Sequence, residues 1–223
     1  MRHFEKLPFS FDIYKLTDAL NQVGEIVQFP EDIRFYKPFK PPVFLNEGKL
    51  YYQLALTKRP HDSAPECFYI NSKAYGIGGE NEADYCDFIP EFNHTYFKEV
   101  YDTLTEYVKE RWNTRLGRIR LIQSNPGVCL AWHADVEDKI HVPIITNEGS
   151  RMAIEDEIMH IPLGETWRTN TTKYHSQFNG GSTDRIHLIA AIVPTKDYWL
   201  QTSSEWIYDN SSFNNPSAHG IIR

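Results

Sequence analysis

The sequence predicts a mainly β fold with flanking helices, and three observations carry that expectation. From residue 114 onward, short β-branched runs alternate with turn residues, as in "RIRLIQS", "GVCLAW", "KIHVPIIT", "RMAIE", "IMHIPL", "ETWRTN" and "RIHLIAAIV". Strands this short and this closely spaced belong to an antiparallel sandwich or barrel. Ahead of them lies one long stripe at helical spacing, and a length of 223 residues suits one large β-rich domain. The chain therefore reads as a single domain, residues 1–223. A helical and mixed part (1–113) buttresses a double-sheet core (114–195), and a polar tail (196–223) packs back on the body before it frays.

The elements follow in order. "DIYKLTDALNQVG" (12–24) places Ile13, Leu16, Leu20 and Val23 on one helical face, with Asp12 to cap it and Gly24 to end it. Residues 29–44 hold four prolines and read as an extended connection, and "KLYYQLALT" (49–57) reads as a strand. Residues 71–90 form a Gly-rich, acidic loop, read equally as a flexible lid or an ordinary surface loop. Its "GIGGE" is not a phosphate loop, because no Lys-Ser/Thr follows it. Residues 90–113 are the strongest helix. Phe97, Val100, Tyr101, Leu104, Val108 and Trp112 form its core face, and Lys98, Glu99, Glu106 and Glu110 face out.

Composition excludes several classes of function. A net charge of −7 gives no basic face for nucleic acid. The N-terminus lacks the apolar stretch of a secretory signal, and no run of apolar residues is long enough for a membrane span. Cys67, Cys86 and Cys129 are odd in number and contain no Cys-x-x-Cys, so a reduced, cytoplasmic setting is expected and a Cys-rich zinc site is not. Oligomeric state leaves no mark in the sequence.

The chemistry concentrates in "PGVCLAWHADVEDKIHVPIIT" (126–146), where His133, Asp135 and His141 interrupt apolar sheet sequence. Polar groups buried in such company need partners or a metal. A lone His-x-Asp is a weak signal. Its weight rises because His175 follows 40 residues after Asp135 and Arg185 ten residues after His175. In a strand, residues two apart share a face, so His133 and Asp135 point together and a distal histidine can complete a two-His, one-carboxylate set. That set is the facial triad of non-haem Fe(II) oxygenases, and its open positions accept a 2-oxo acid and dioxygen. The far carboxylate of the 2-oxo acid needs a partner in a semi-apolar cavity. Arg185 opens an otherwise apolar strand and offers a planar fork. A structural pairing of Arg185 with an Asp or Glu is the competing reading.

These residues resemble the aspartyl/asparaginyl β-hydroxylase family of Fe(II)/2-oxoglutarate oxygenases, which includes bacterial free-proline hydroxylases. The matching pieces are "NPGVCLAWHAD", "KIHVPIITN", "GETWRTNTTKYHSQFNGG" and "DRIHLIAAIVP", spanning roughly residues 115–195, about a third of the chain. The resemblance implies a double-stranded β-helix (jelly-roll, cupin-like) fold. It implies His133, Asp135 and His175 as iron ligands and Arg185 as the anchor of the 2-oxoglutarate distal carboxylate. It further implies His141, with Lys139, beside the cosubstrate. Lys139 stands where the family carries arginine. Asp135 is retained where the animal branch lacks the metal carboxylate, which favours the bacterial small-substrate branch and argues against a halogenase.

The expected activity is hydroxylation of an unactivated C–H of an amino acid, or of a peptide Asp, Asn or Pro residue, with release of succinate and CO2. The competing readings are a cupin-type dioxygenase or isomerase that uses no 2-oxoglutarate, and a non-catalytic jelly-roll binding module. His187, Asn170 and Trp167 are candidate pocket residues, although a turn role suits Asn170 better. His160 is expected to be structural, Trp132 and Cys129 to lie in the core, and Asn179 to order a turn.

Overall fold

The computed structural model describes residues 3–27, 51–62 and 81–202. Its strands are β1 (Phe4–Lys6), β2 (Tyr51–Ala55), β3 (Thr57–Lys58), β4 (Asp87–Phe88), β5 (Leu116–Ser124), β6 (Lys139–Ile145), β7 (Ser150–Ile154), β8 (Glu157–Met159), β9 (Trp167–Thr169), β10 (His175–Asn179) and β11 (Arg185–Ile192). The helices are α1 (Ile13–Val27), α2 (Tyr96–Trp112) and α3 (Lys196–Thr202). A six-stranded sheet runs in the order β1-β9-β6-β11-β5-β2, and a three-stranded sheet in the order β10-β7-β8. Every pairing is antiparallel. The fold is mainly β with flanking helices, a jelly-roll of two sheets. Among the described residues no helix is long and apolar enough to cross a membrane.

Strand alternation divides the large sheet chemically. Ile119, Leu121, Ile140, Val142, Ile144, Leu188 and Ala190 point to one side and merge with the helices in a single core. That core takes Leu16, Ala19 and Val23 from α1 and Phe97, Val100, Leu104, Val108 and Trp112 from α2. The opposite face carries Arg120, Lys139, His141, Arg185 and His187, brought side by side by register, with His141 opposite Ile189 and Ile189 opposite Arg120. All eight residues of β11 are buried, so this charged face is covered as well, by the small sheet. A second cluster of Phe4, Met152, Ile154, Met159 and Ile161, with Trp167 against it, fills one end of the interior. Pro143 has no N–H to give the ladder, and β6 and β11 shift register beside it, between Ile186 and His187.

The helices follow their patterns with two adjustments. Asp12 Oδ1 accepts from the backbone N–H of Tyr14 and Lys15 and caps α1, as expected. The helix runs past Gly24 to Val27. Gly24 does not take the left-handed conformation that a C-terminal glycine stop uses. Residues 90–92 form a separate 3-10 turn before α2, which closes at Asn113 in the left-handed region (φ 49°, ψ 44°).

Three expectations need correction. "GVCLAW" forms no ladder strand; residues 127–133 meet β10 through the isolated bridges Cys129–Phe178 and His133–His175, with the Gly127 N–H on the Asn179 carbonyl and the Ser176 hydroxyl on the Leu130 carbonyl, after a turn with Gly127 at φ 78°. "IMHIPL" shrinks to the end of β8 because Pro162 and the positive-φ Gly164 follow it. Trp132 is 51 % exposed: alternation turns it away from the interior, and among the described residues nothing covers it there. Strands β1 and β10 escaped the sequence reading because β1 is three residues long and the buried face of β10 is polar. The extended 29–44 connection, residues 71–80 of the 71–90 loop and the tail beyond residue 202 lie outside the described residues.

Candidate metal centre

His133 and His175 are fixed to each other through the backbone. The His133 N–H donates to the His175 carbonyl at 3.0 Å, and the His175 N–H donates to the His133 carbonyl at 2.7 Å. Their rings stand 4.3 Å apart. The Asp135 N–H donates to the Thr171 carbonyl at 2.8 Å, which holds its carboxylate over the same spot. The donor atoms of His133, Asp135 and His175 all lie within 4.8 Å of one another.

The tautomers of both rings follow from what Nδ1 touches. His133 Nδ1 faces the Ala131 carbonyl at 2.7 Å and His175 Nδ1 the Lys173 carbonyl at 2.9 Å. A carbonyl only accepts, so each Nδ1 carries the hydrogen and each Nε2 keeps its lone pair. Those Nε2 atoms stand 3.7 and 3.8 Å from the Asp135 carboxylate oxygens. Two lone pairs and a carboxylate repel unless a cation sits between them. A proton suits poorly, because burial pushes the pKa of His175 down despite the neighbouring Asp135. The donor set therefore fits a divalent transition metal, with the two imidazoles already oriented by their carbonyl partners. His133 keeps 42 % of its side chain exposed, so the centre opens to solvent on that side.

Behind Asp135 lies an ion cluster. Lys139 Nζ contacts Glu82 at 2.8 Å, Glu137 at 3.2 Å and Asp135 at 3.7 Å, with 4 % of its side chain exposed. Glu82 also receives Arg120 at 2.7 Å. Burial opposes both charges, yet Arg120 and Lys139 bring the Glu82 carboxyl down to about 2, and the carboxylates around Lys139 raise its pKa above the ordinary lysine value. Glu82 sits on a 3-10 turn pressed against β5 at Gly117, where an added Cβ would lie 2.5 Å from the Glu82 carbonyl oxygen. Lys139, expected beside the cosubstrate, thus has its ammonium on three carboxylates, one of them Asp135.

The other side of the centre holds unmet donors. Both ring nitrogens of the buried His141 lack a hydrogen-bond partner. Arg185 Nη2 meets His187 Nδ1 at 2.8 Å. The guanidinium donates, so Nδ1 accepts and the hydrogen sits on Nε2, which has no partner. The rings of His141 and His187 lie 5.8 Å apart. Burial, reinforced by the Arg185 guanidinium, pushes both imidazoles well below their ordinary pKa. They stay neutral in the folded protein, whereas the unfolded chain protonates them below about pH 6.5. Their contribution to stability is present above that pH and is lost as pH falls through it. Metal-free protein is expected to lose up to about 1.4 kcal/mol per pH unit for each of them between pH 6.5 and 5. Urea midpoints measured across that range check this, and a flat profile contradicts it.

The remaining candidates lie outside the triad. Trp167 pairs with His141 across β6 and β9, yet its indole N–H donates to Glu165 at 2.8 Å and its ring packs on the Phe4 cluster. Asn170 is buried in the turn after β9, with Thr172 Oγ on its carbonyl oxygen. His160 is held by the Ser150 carbonyl at 2.9 Å, and Asn179 donates to the carbonyls of Ser124 and Thr183. Glu82 and Glu137 escaped sequence reasoning, because no local pattern separates them from the other acidic loop residues.

The fold and the donors define the class: a jelly-roll enzyme of the oxygenase type, with a candidate two-His, one-carboxylate metal centre. Residues 85–194 match the family model described as Aspartyl/Asparaginyl beta-hydroxylase. No curated protein matches it by sequence. Among solved structures it is similar to AviO1 from Streptomyces viridochromogenes Tue57, at 11 % identity and TM-score 0.52, with 87 % of this chain and 91 % of that chain covered. It is also similar to an oxidoreductase of the 2OG-Fe(II) oxygenase family from Burkholderia pseudomallei, at 10 % identity and TM-score 0.50, covering 85 % and 84 %. At such identities these likenesses speak for the fold alone.

Proposed function

We propose that this chain is an Fe(II)- and 2-oxoglutarate-dependent hydroxylase acting on a free amino acid or on an Asp, Asn or Pro residue of a peptide. One observation carries the reading: three convergent metal donors stand near the buried imidazoles of His141 and His187, whose nitrogens His141 Nδ1, His141 Nε2 and His187 Nε2 have no hydrogen-bond partner, on the sheet face that also carries Arg185. With Fe(II) and 2-oxoglutarate bound, dioxygen supplies an oxidant able to hydroxylate an unactivated C–H while the cosubstrate leaves as succinate and CO2. The chain's own part is orientation and exclusion of water. His133 and His175 would present Nε2 and Asp135 its carboxylate, each ring held by its carbonyl partner. Lys139 steadies Asp135 from behind, and Arg185 receives the far carboxylate of the cosubstrate. The exposed edge of His133 marks the mouth through which substrate reaches the centre. AviO1 and the Burkholderia protein lend this reading support through shared architecture, and the matched family does so through its name.

The test is an aerobic screen of Fe(II)-loaded protein with 2-oxoglutarate against free amino acids and short Asp-, Asn- and Pro-containing peptides. Succinate is expected in step with a product one oxygen heavier than its substrate. Iron-replete protein that releases no succinate, coupled or uncoupled, contradicts the proposal.

A further inference from the structure

Among the buried donors of the described residues that have no hydrogen-bond partner is Gln177 Nε2, which the triad does not explain. Gln177 lies on β10, two residues after His175, so the two side chains share the inner face about 7 Å apart along the strand. It is 5 % exposed. Its Oε1 accepts from Ser124 Oγ at 3.0 Å, which turns the amide nitrogen away from Ser124. That Nε2 is buried and has no hydrogen-bond partner. Its cross-strand neighbour in the small sheet is Met152, which offers an amide nothing comparable. Ser124 in turn stands directly opposite Arg185 in the β5–β11 pairing. The amide therefore lies against the same part of the interior as the Arg185 guanidinium and the free Nε2–H of His187.

We infer that Gln177 is a ligand-positioning residue: its Nε2–H donates to the carboxylate that Arg185 receives, with Ser124 fixing the orientation of the amide. The inference rests on the reading of this pocket as the 2-oxo diacid site. A buried, partnerless N–H2 is costly to keep, and a carboxylate oxygen beside the Arg185 guanidinium satisfies it. The spacing suits a short diacid. One carboxylate and its 2-oxo group reach the metal beside His175, and the other end lies two strand residues away, beside Gln177. A merely structural glutamine that ties Ser124 to β10 needs only its Oε1, and leaves Nε2 unexplained.

The experiment uses the full chain loaded with Mn(II) and titrates 2-oxoglutarate by calorimetry under anaerobic conditions. Gln177→Glu keeps the size and the acceptor toward Ser124 but turns the donor into a repelling charge. Gln177→Met removes the donor without adding charge and serves if the glutamate variant folds poorly. Binding of 2-oxoglutarate is expected to weaken about 10- to 100-fold in both, the range of one hydrogen bond to a charged group, and more in Gln177→Glu. Mn(II) affinity, measured without 2-oxoglutarate, is expected to stay within twofold of the parent. Parent-like 2-oxoglutarate affinity in Gln177→Met, or an equal loss of Mn(II) affinity, overturns the inference while leaving the pocket reading intact. A parent that binds Mn(II) but not 2-oxoglutarate overturns the pocket reading, and the inference with it.

Discussion

His175→Ala is expected to strip the protein of its metal while leaving it folded. The ring is buried, contributes one of the three donors and is held by a single carbonyl partner. Even the outer partners of metal ligands are typically worth 10- to 100-fold in affinity, so losing a ligand outright costs more than about 100-fold. The fold has less at stake. The backbone bridge between His133 and His175 does not use the side chain, and β10 stays paired with β7. Metal content after dialysis against Fe(II) or Co(II), read beside a thermal melt, checks both halves. A variant that holds metal as the parent does sets His175 outside the centre.

Lys139→Met is expected to be the most destabilising single change near the site. It leaves the carboxylates of Glu82, Glu137 and Asp135 around an apolar side chain, with Arg120 and Arg118 still acting on Glu82. Removing one partner of a buried ion pair typically costs about 3–5 kcal/mol. In a protein of this size that lowers Tm by roughly 10 °C. Metal affinity is expected to fall as well, since Asp135 loses the ammonium that steadies it. The pH dependence carries a sign. In the parent, Glu82 has a folded pKa of about 2, below its unfolded value, so it stabilises the fold at neutral pH and that stability is lost as pH falls toward 2. With Lys139 gone much of this contribution is gone already, so the deficit of the variant against the parent is expected to shrink between pH 5 and 3. Thermal melts of both proteins across that range decide the matter, and a constant deficit argues that Lys139 acts through packing alone.

The legible and illegible parts of the molecule separate along one line, that of local against remote information. The helix stripes could be read because their periodicity is local: α1 buries Leu16 and Val23 and α2 buries Phe97, Val100, Leu104, Val108 and Trp112, while Ile13, Leu20 and Tyr101 of the marked stripes are half-buried. The charged face of β11 could be read because Arg185 and His187 alternate with an apolar run. The spacing of His133 and Asp135, with His175 beyond, put them within reach of one another, and the structure brings them together. Strand β10 was hidden because its buried side chains, His175, Gln177 and Asn179, are polar, so no apolar period announces a strand. Trp132 misled because alternation says which way a side chain points, and what covers it is decided by distant sequence. The contacts of Lys139 were illegible for a related reason. Its partner Glu82 arrives from a segment 57 residues earlier, and only the folded chain shows that the ammonium is already engaged.

The most direct test of the central claim is spectroscopic. Fe(II) and 2-oxoglutarate are added anaerobically to metal-free protein, and the weak visible metal-to-ligand charge-transfer band is followed in the parent and in the His175→Ala and Arg185→Ala variants. A band is expected in the parent, none in His175→Ala, and one in Arg185→Ala that appears only at far higher 2-oxoglutarate. Iron bound by the parent with no band at saturating 2-oxoglutarate would contradict the claim.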